Sequence, residues 1–224
     1  MCVHQICEYN DRIELFRLAH FMKILFLTNN KDVSKPLIDW LQEGDEVLVN
    51  GEPLTPDVMA QLSPEIVISY GYRHIIKRDV LSLLDDGFFN LHVSMLPFNR
   101  GADPNVWSFL DDTPKGVTIH RIDEGLDTGP IVVQREVYFD EAKETLSATY
   151  AKLQAEIQDL FREHWPAIRD GSAPRVKAQG PGSYHQAREF AALRSVLMGP
   201  EGWAVPISLF RHRYDKLKNA GGAA

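Results

Sequence analysis

The chain of 224 residues has almost no cysteine: Cys2 and Cys7 are its only two, and both lie at the very start. Neither a disulfide framework nor a cysteine-based zinc site is therefore available to the body of the protein, and a reducing, cytoplasmic location is expected. Long apolar runs are missing too. Asp11, Arg12, Glu14 and Arg17 interrupt the first 21 residues, which rules out the continuous apolar stretch of a signal peptide, and no later run approaches a membrane-spanning length. Positive charge is scarce in the main body. Residues 171–224 hold eight Lys or Arg against three Asp or Glu, so the net charge of −7 leaves the first 170 residues at −12. An acidic body is a poor electrostatic footprint for nucleic acid, and the basic tail reads as a solvated helix face.

What is present is ordinary for a soluble globular chain, with 44% hydrophobic and 25% charged residues. Strand-like runs at 24–28, 46–49, 66–70 and 88–92 alternate with helical patterns over 34–42, 56–62 and 75–85. This βαβ rhythm predicts an α/β fold: a Rossmann-like, mostly parallel twisted sheet with helices on both faces. Ser34 is the expected cap of the first helix, Thr55 before Pro56 that of the second, and Gly44 and Gly87 are expected helix ends. Two further strands are expected over 117–122 and 131–137. Apolar positions from Leu146 to Trp165 predict one long amphipathic helix closing near Gly171. The expected organisation is an N-terminal extension over 1–21, with Met22 a candidate start, a catalytic domain over 22–170, and a short helical appendage over 171–224. In the appendage Ile207, Phe210, Tyr214 and Leu217 mark an amphipathic face for packing back on the monomer or for a homodimer contact.

The chemistry concentrates in two strings, Asn90-Leu-His-Val-Ser-Met-Leu-Pro97 and Ile122-Asp-Glu-Gly-Leu-Asp-Thr-Gly-Pro-Ile131. On an extended strand Asn90 and His92 project from one face, because side chains alternate with a period of two. An amide that steadies a developing oxyanion, an imidazole that moves a proton and a carboxylate at Asp127 that orients the imidazole suit acyl-group transfer. Ser94 lacks a Gly-x-Ser-x-Gly elbow, which argues against a Ser94-His92-Asp127 hydrolase. The other histidines show no zinc-binding spacing, so no metal is expected, and His74 and His120 read as structural or pocket-lining. Trp107 reads as core.

Together with Arg100-Gly101 and Gly116-Val-Thr-Ile-His120, these strings resemble the formyltransferases that use 10-formyltetrahydrofolate, over roughly Ile66 to Trp165. The resemblance implies Asn90, His92 and Asp127 as the catalytic triad and 10-formyltetrahydrofolate as formyl donor. It implies a pterin pocket walled by Tyr70 to Ile76, including Tyr72, with backbone groups of Arg73, His74 and Ile76 reading the pterin edge, and a facing loop over Asp123 to Asp127, including Gly125. Three branches of the family differ in the accepting amine. The glycinamide ribonucleotide branch is expected to carry a glycine-rich phosphate loop after the first strand, where this chain reads Thr28-Asn-Asn-Lys-Asp-Val-Ser34 without glycine. The methionyl-tRNA branch carries a C-terminal barrel, for which the residues after Gly171 are too few. The stretch Pro97 to Trp107 and the tail Ser183-Tyr-His185 resemble the small nucleotide-sugar N-formyltransferases, so a nucleotide-linked amino sugar is the expected partner. Candidate ligands for it are Asn29, Asn30, Lys77, Arg100 and Gly101, with Lys31 and Arg78. Hydrolysis of the same folate, and a binding module without chemistry, are the rival readings.

Overall fold

The strand β1 (Lys23–Leu27) shows how the sheet divides its side chains. Ile24 and Phe26 enter one apolar cluster, and Leu25 and Leu27 enter another on the opposite face, as a two-residue alternation requires. The computed structural model describes residues 21–221; residues 1–20, with both cysteines and nearly all of the expected extension, lie outside the described residues. Six strands form the main sheet: β1, β2 (Glu46–Asn50), β3 (Ile66–Tyr70), β4 (Phe88–His92), β6 (Gly116–Arg121) and β7 (Ile131–Glu136), in the order β2-β1-β3-β4-β6-β7. The first four are mutually parallel, β6 runs antiparallel to β4, and β7 runs antiparallel to β6 and so along the direction of the first four. Two short strands, β5 (Arg100–Gly101) and β8 (Tyr184–His185), pair separately.

Seven α-helices accompany them among the described residues: α1 (Lys31–Gln42), α2 (Pro56–Leu62), α3 (Arg78–Leu81), α4 (Pro104–Leu110), α5 (Leu146–Arg169), α6 (Ala187–Met198) and α7 (Ile207–Gly221). Leu37, Ile38 and Leu41 of α1 and Leu153, Ile157, Leu160 and Phe161 of α5 cover one face of the sheet, while Met59 of α2 and Val80 of α3 cover the other. A third cluster joins Val106, Trp107, Phe109 and Leu110 of α4 and Leu146 of α5 to Phe190, Leu197, Val205, Ile207 and Phe210. The C-terminal helices thus pack back on the chain that precedes them. No helix among the described residues is long and apolar enough to cross a membrane.

Three local expectations need correction. Helix α1 starts after Asn30 rather than at Ser34; Ser34 lies buried inside the helix, its hydroxyl 2.8 Å from that of Thr28. The helix expected over 75–85 shrinks to four residues, because Ile76 turns into the core while Ile75 and Leu83 stay exposed. Gly44 does close α1, its amide donating to the Leu41 carbonyl at 3.2 Å, but Gly87 ends no helix: Asp86 (φ 57°) makes the turn before β4. The other cap holds as expected, with Thr55 accepting from the Val58 amide at 3.3 Å.

Candidate functional site

Phe88 at the start of β4 belongs to the core cluster beneath α2 and α3. Two and four residues on, at the C-terminal end of the strand, the same face presents Asn90 and His92 beyond the reach of those helices. This is also the seam where the sheet turns antiparallel, so β6 sets His120 directly opposite Asn90 and Thr118 opposite His92. Ligands of open α/β sheets gather at such strand ends.

Asp127 reaches the seam from the β6–β7 loop, in left-handed backbone geometry (φ 53°). Its two oxygens divide four partners. One accepts from the Asn90 amide at 3.2 Å and lies 3.5 Å from His120 Nε2; the other accepts from the Gly101 amide at 2.8 Å and lies 3.7 Å from His92 Nδ1. Burial, the largest single influence, pushes the carboxyl up. The His92 imidazole, both of whose nitrogens face acceptors, and the Gly101 N–H outweigh it and hold Asp127 below the usual carboxylate range. Asp127 is therefore a buried anion at neutral pH.

The ring partners assign protons. His120 Nδ1 lies 2.7 Å from the Arg121 carbonyl, which only accepts, so that nitrogen carries hydrogen and Nε2 is left to accept from Asn90 at 3.1 Å. His92 Nε2 lies 3.1 Å from the Asn99 carbonyl and donates to it, while Nδ1 faces Asp127. Both nitrogens of His92 thus face acceptors. Both hydrogens of the Asn90 amide are likewise directed, one to Asp127 and one to His120.

The three groups share the wall of a cleft of about 710 Å³. Asn30, Tyr72, Arg73 and Gly101 line it as well, so these predicted residues are brought together with Asn90, His92 and Asp127. Arg73 is the only Lys or Arg among the described residues lining it. Its amide donates to Asn29 Oδ1 at 3.0 Å while Asn29 Nδ2 donates to the Gly51 carbonyl at 2.8 Å; Asn29 braces the wall from behind. Tyr72 is anchored through its hydroxyl, which donates to the Glu52 carbonyl and accepts from the Leu54 amide.

Other predicted residues sit away from the cleft lining. The Ile76 side chain is buried in the core, and His74 stacks edge-on against Tyr72 with ring centroids 5.2 Å apart. Lys77 precedes α3 as its cap residue, and Arg78 pairs with Glu124 at 3.1 Å. Arg100 Nε reaches the Ser183 carbonyl at 3.4 Å. Asp123 folds the loop that carries Asp127, accepting from the Gly125 amide at 3.0 Å and the Thr128 hydroxyl at 2.6 Å; at Gly125 a Cβ would collide with that hydroxyl at 2.0 Å. No group of three His, Cys, Asp or Glu among the described residues is arranged to hold a metal.

Ile75 and Leu126, 74% and 43% exposed, lie within the two expected segments and line the cleft as apolar lips. Sequence reasoning missed two parts of this site. His120 reads as pocket-lining until the antiparallel register puts it against Asn90. Residues 184–187 of the C-terminal segment form a further wall, although a hundred positions separate them from β4.

Comparison with known proteins places this geometry. Residues 48–163 match the model of the formyl transferase family. A dTDP-4-amino-4,6-dideoxyglucose formyltransferase from Mycobacterium bovis is 33% identical over 191 residues, covering 81% of each chain. The formyltransferase PseJ from Anoxybacillus kamchatkensis, solved with UDP-4,6-dideoxy-4-formamido-L-AltNAc and tetrahydrofolate, is 40% identical with a TM-score of 0.76, covering 86% of this chain and 99% of that one. A sugar N-formyltransferase from a Shewanella species shares the fold at 21% identity and a TM-score of 0.67, covering 87% of this chain and 88% of its own. With its family model matched over half its length, and with an amide, an imidazole and a carboxylate gathered at the end of β4, the chain belongs to the formyl transferase family.

Proposed function

We propose that this protein transfers the formyl group of 10-formyltetrahydrofolate to the amino group of a nucleotide-linked amino sugar. The observation that carries the reading is the convergence of Asn90, His92 and Asp127 on one cleft wall. The relatives support the acceptor class: the M. bovis protein is named for a dTDP-amino sugar and PseJ was solved with a UDP-formamido sugar and tetrahydrofolate.

The residues present fit a folate. Ile75 and Leu126 offer exposed apolar faces on the cleft, with Leu91 and Val93 beside the polar groups, as a flat ring system needs. The folate supplies the formyl carbon on its N10 nitrogen. As the amine adds to that carbon, charge grows on the formyl oxygen; Asn90 turns one N–H to it, and His92 donates beside it from Nδ1, which lies 3.7 Å from Asp127 and so beyond hydrogen-bond reach, while Nε2 stays on the Asn99 carbonyl. One such donor is typically worth about 3 to 4 kcal/mol of barrier. His92 carries the proton traffic, since the amine must lose a proton and N10 must gain one, and Asp127 holds its ring and balances its charge. Placing both substrates in one cleft adds proximity, which can contribute about 7 to 11 kcal/mol in well-aligned cases. Arg73 is the cation placed to meet the diphosphate, with Asn30 and the Gly101 turn as neighbours.

In this reading residues 22–170 perform transfer and residues 171–224 complete the cleft. A cytoplasmic location and a homodimer belong to the same reading, the first in keeping with cysteines confined to positions 2 and 7.

The test is tetrahydrofolate release from 10-formyltetrahydrofolate, first without amine and then with a panel of nucleotide amino sugars. Release that depends on one sugar and yields its formamide is the expected result. Turnover with water alone makes the protein a hydrolase, and no turnover with any acceptor leaves only binding.

A further inference from the structure

The two backbone atoms that orient His92 and Asp127 come from one short turn. The Asn99 carbonyl accepts from His92 Nε2 and the Gly101 amide donates to Asp127. That turn is zipped to the C-terminal segment. The Ser183 amide donates to the Pro97 carbonyl at 3.1 Å, the Arg100 amide to the Ser183 carbonyl at 3.0 Å, and the Ala102 amide to the His185 carbonyl at 3.0 Å. The approach is close enough to demand glycine on both sides. A Cβ at Gly101 (φ +89°) would meet the His185 carbonyl at 2.4 Å, and one at Gly182 (φ +62°) the Pro97 carbonyl at 2.1 Å.

Asn99 is the centre of the zipper and is fully buried. Its left-handed backbone (φ 55°) suits Asn better than most residues. Its amide donates to Ser183 Oγ at 2.8 Å, its side-chain oxygen accepts from that hydroxyl at 3.2 Å, and its Nδ2 donates to Thr113 Oγ1 at 2.7 Å. Every polar group of Asn99 is thereby committed, which leaves its carbonyl one direction to point. Beyond it, His185 anchors the strand: its ring stacks on Trp107 with centroids 3.9 Å apart, and its nitrogens lie 2.8 Å from Asp111 and 3.1 Å from Glu189.

We propose that Ser183 and Asn99 are positioning residues for formyl transfer: through the Asn99 carbonyl, the C-terminal segment sets the orientation of the His92 ring. The proposal rests on the formyl-transfer reading for its kinetic arm only. Without the Ser183 hydroxyl the Asn99 carbonyl is less firmly directed, and the His92 ring with it, while the backbone zipper and the cleft walls that bind substrate stay in place.

The test compares Ser183→Ala, Ser183→Thr and Thr113→Val, the last reaching the same asparagine from its other side. In the protein alone, with histidine nitrogens labelled, the His92 Nε2–H gives a hydrogen-bonded imidazole proton signal, assigned by its loss in His92→Gln. Ser183→Ala is expected to speed exchange of that proton with water at least tenfold, to lower kcat about tenfold and to leave KM for both substrates within about twofold. Ser183→Thr keeps the hydroxyl and is expected to recover both readouts; Thr113→Val shows the same signature at smaller size, and carries the test if Ser183→Ala fails to fold. An unchanged proton signal in folded variants overturns the proposal, as does a raised KM with kcat intact, which makes Ser183 a substrate contact. Because the proton signal needs no substrate, it decides the positioning role even if no sugar accepts a formyl group.

Discussion

Asp127 is the residue on which the electrostatics of the site turn. Its carboxyl is held below the usual range, so its ionised form stabilises the fold at every pH above the unfolded value of about 3.9. That contribution is lost as pH falls through the lower, folded value. The stability gap between the parent and Asp127→Asn, followed by denaturant unfolding, is therefore expected to persist down to about pH 4 and to close only below it. Asp127→Asn is also expected to depress turnover a hundredfold or more, because the imidazole loses its counter-charge. A changed sugar affinity with intact turnover would make Asp127 a substrate ligand instead. At this scale the pairing of Asn90 with His92 was legible because a two-residue period puts them on one face, whereas Asp127 was named through the resemblance of its loop to the formyltransferases. Asn99 was not, because what it contributes to His92 is a backbone carbonyl that any residue carries, and His120 needed the register of β4 against β6.

Among the elements, α5 shows why strong periodicity reads well. Its apolar stripe is continuous over 24 residues and buries Leu153, Ile157, Leu160 and Phe161 against the sheet, so length and pattern agree. Phe161→Ala is expected to cost about 3 to 5 kcal/mol as a cavity opens under the helix. Thr145→Ala, which removes the hydroxyl that accepts from the Ala148 amide at 3.2 Å, is expected to cost only about 1 kcal/mol. Equilibrium unfolding of the two variants measures the ratio, and equal losses would contradict the assignment of core and cap. The six strands of the main sheet begin and end within a residue or so of their expected limits, since short apolar runs bounded by turn residues leave little freedom. The stretch over 75–85 carried a helical pattern too, but tertiary demands overrode it: Ile76 and Val80 reach the core, while Ile75 is left exposed as a lip of the cleft. Propensity has little hold on a segment whose ends are fixed by a site.

For the whole molecule, the C-terminal segment is the part least visible in advance. Composition marks it as a basic amphipathic tail, whereas the fold uses it twice, as half of the third apolar cluster and as the strand that grips the turn beside His92. The first use agrees with the amphipathic face marked by Ile207 and Phe210, whereas the second depends on contacts across a long sequence separation, which no local pattern encodes. The central claim remains that amide, imidazole and carboxylate gather around a one-carbon group on its way to nitrogen. Its most direct test is turnover and folate affinity of His92→Ala with the accepting nucleotide sugar at saturation. A loss of turnover of a hundredfold or more, with folate affinity within a few-fold of the parent, is the predicted result; near-normal turnover in the folded variant would contradict it.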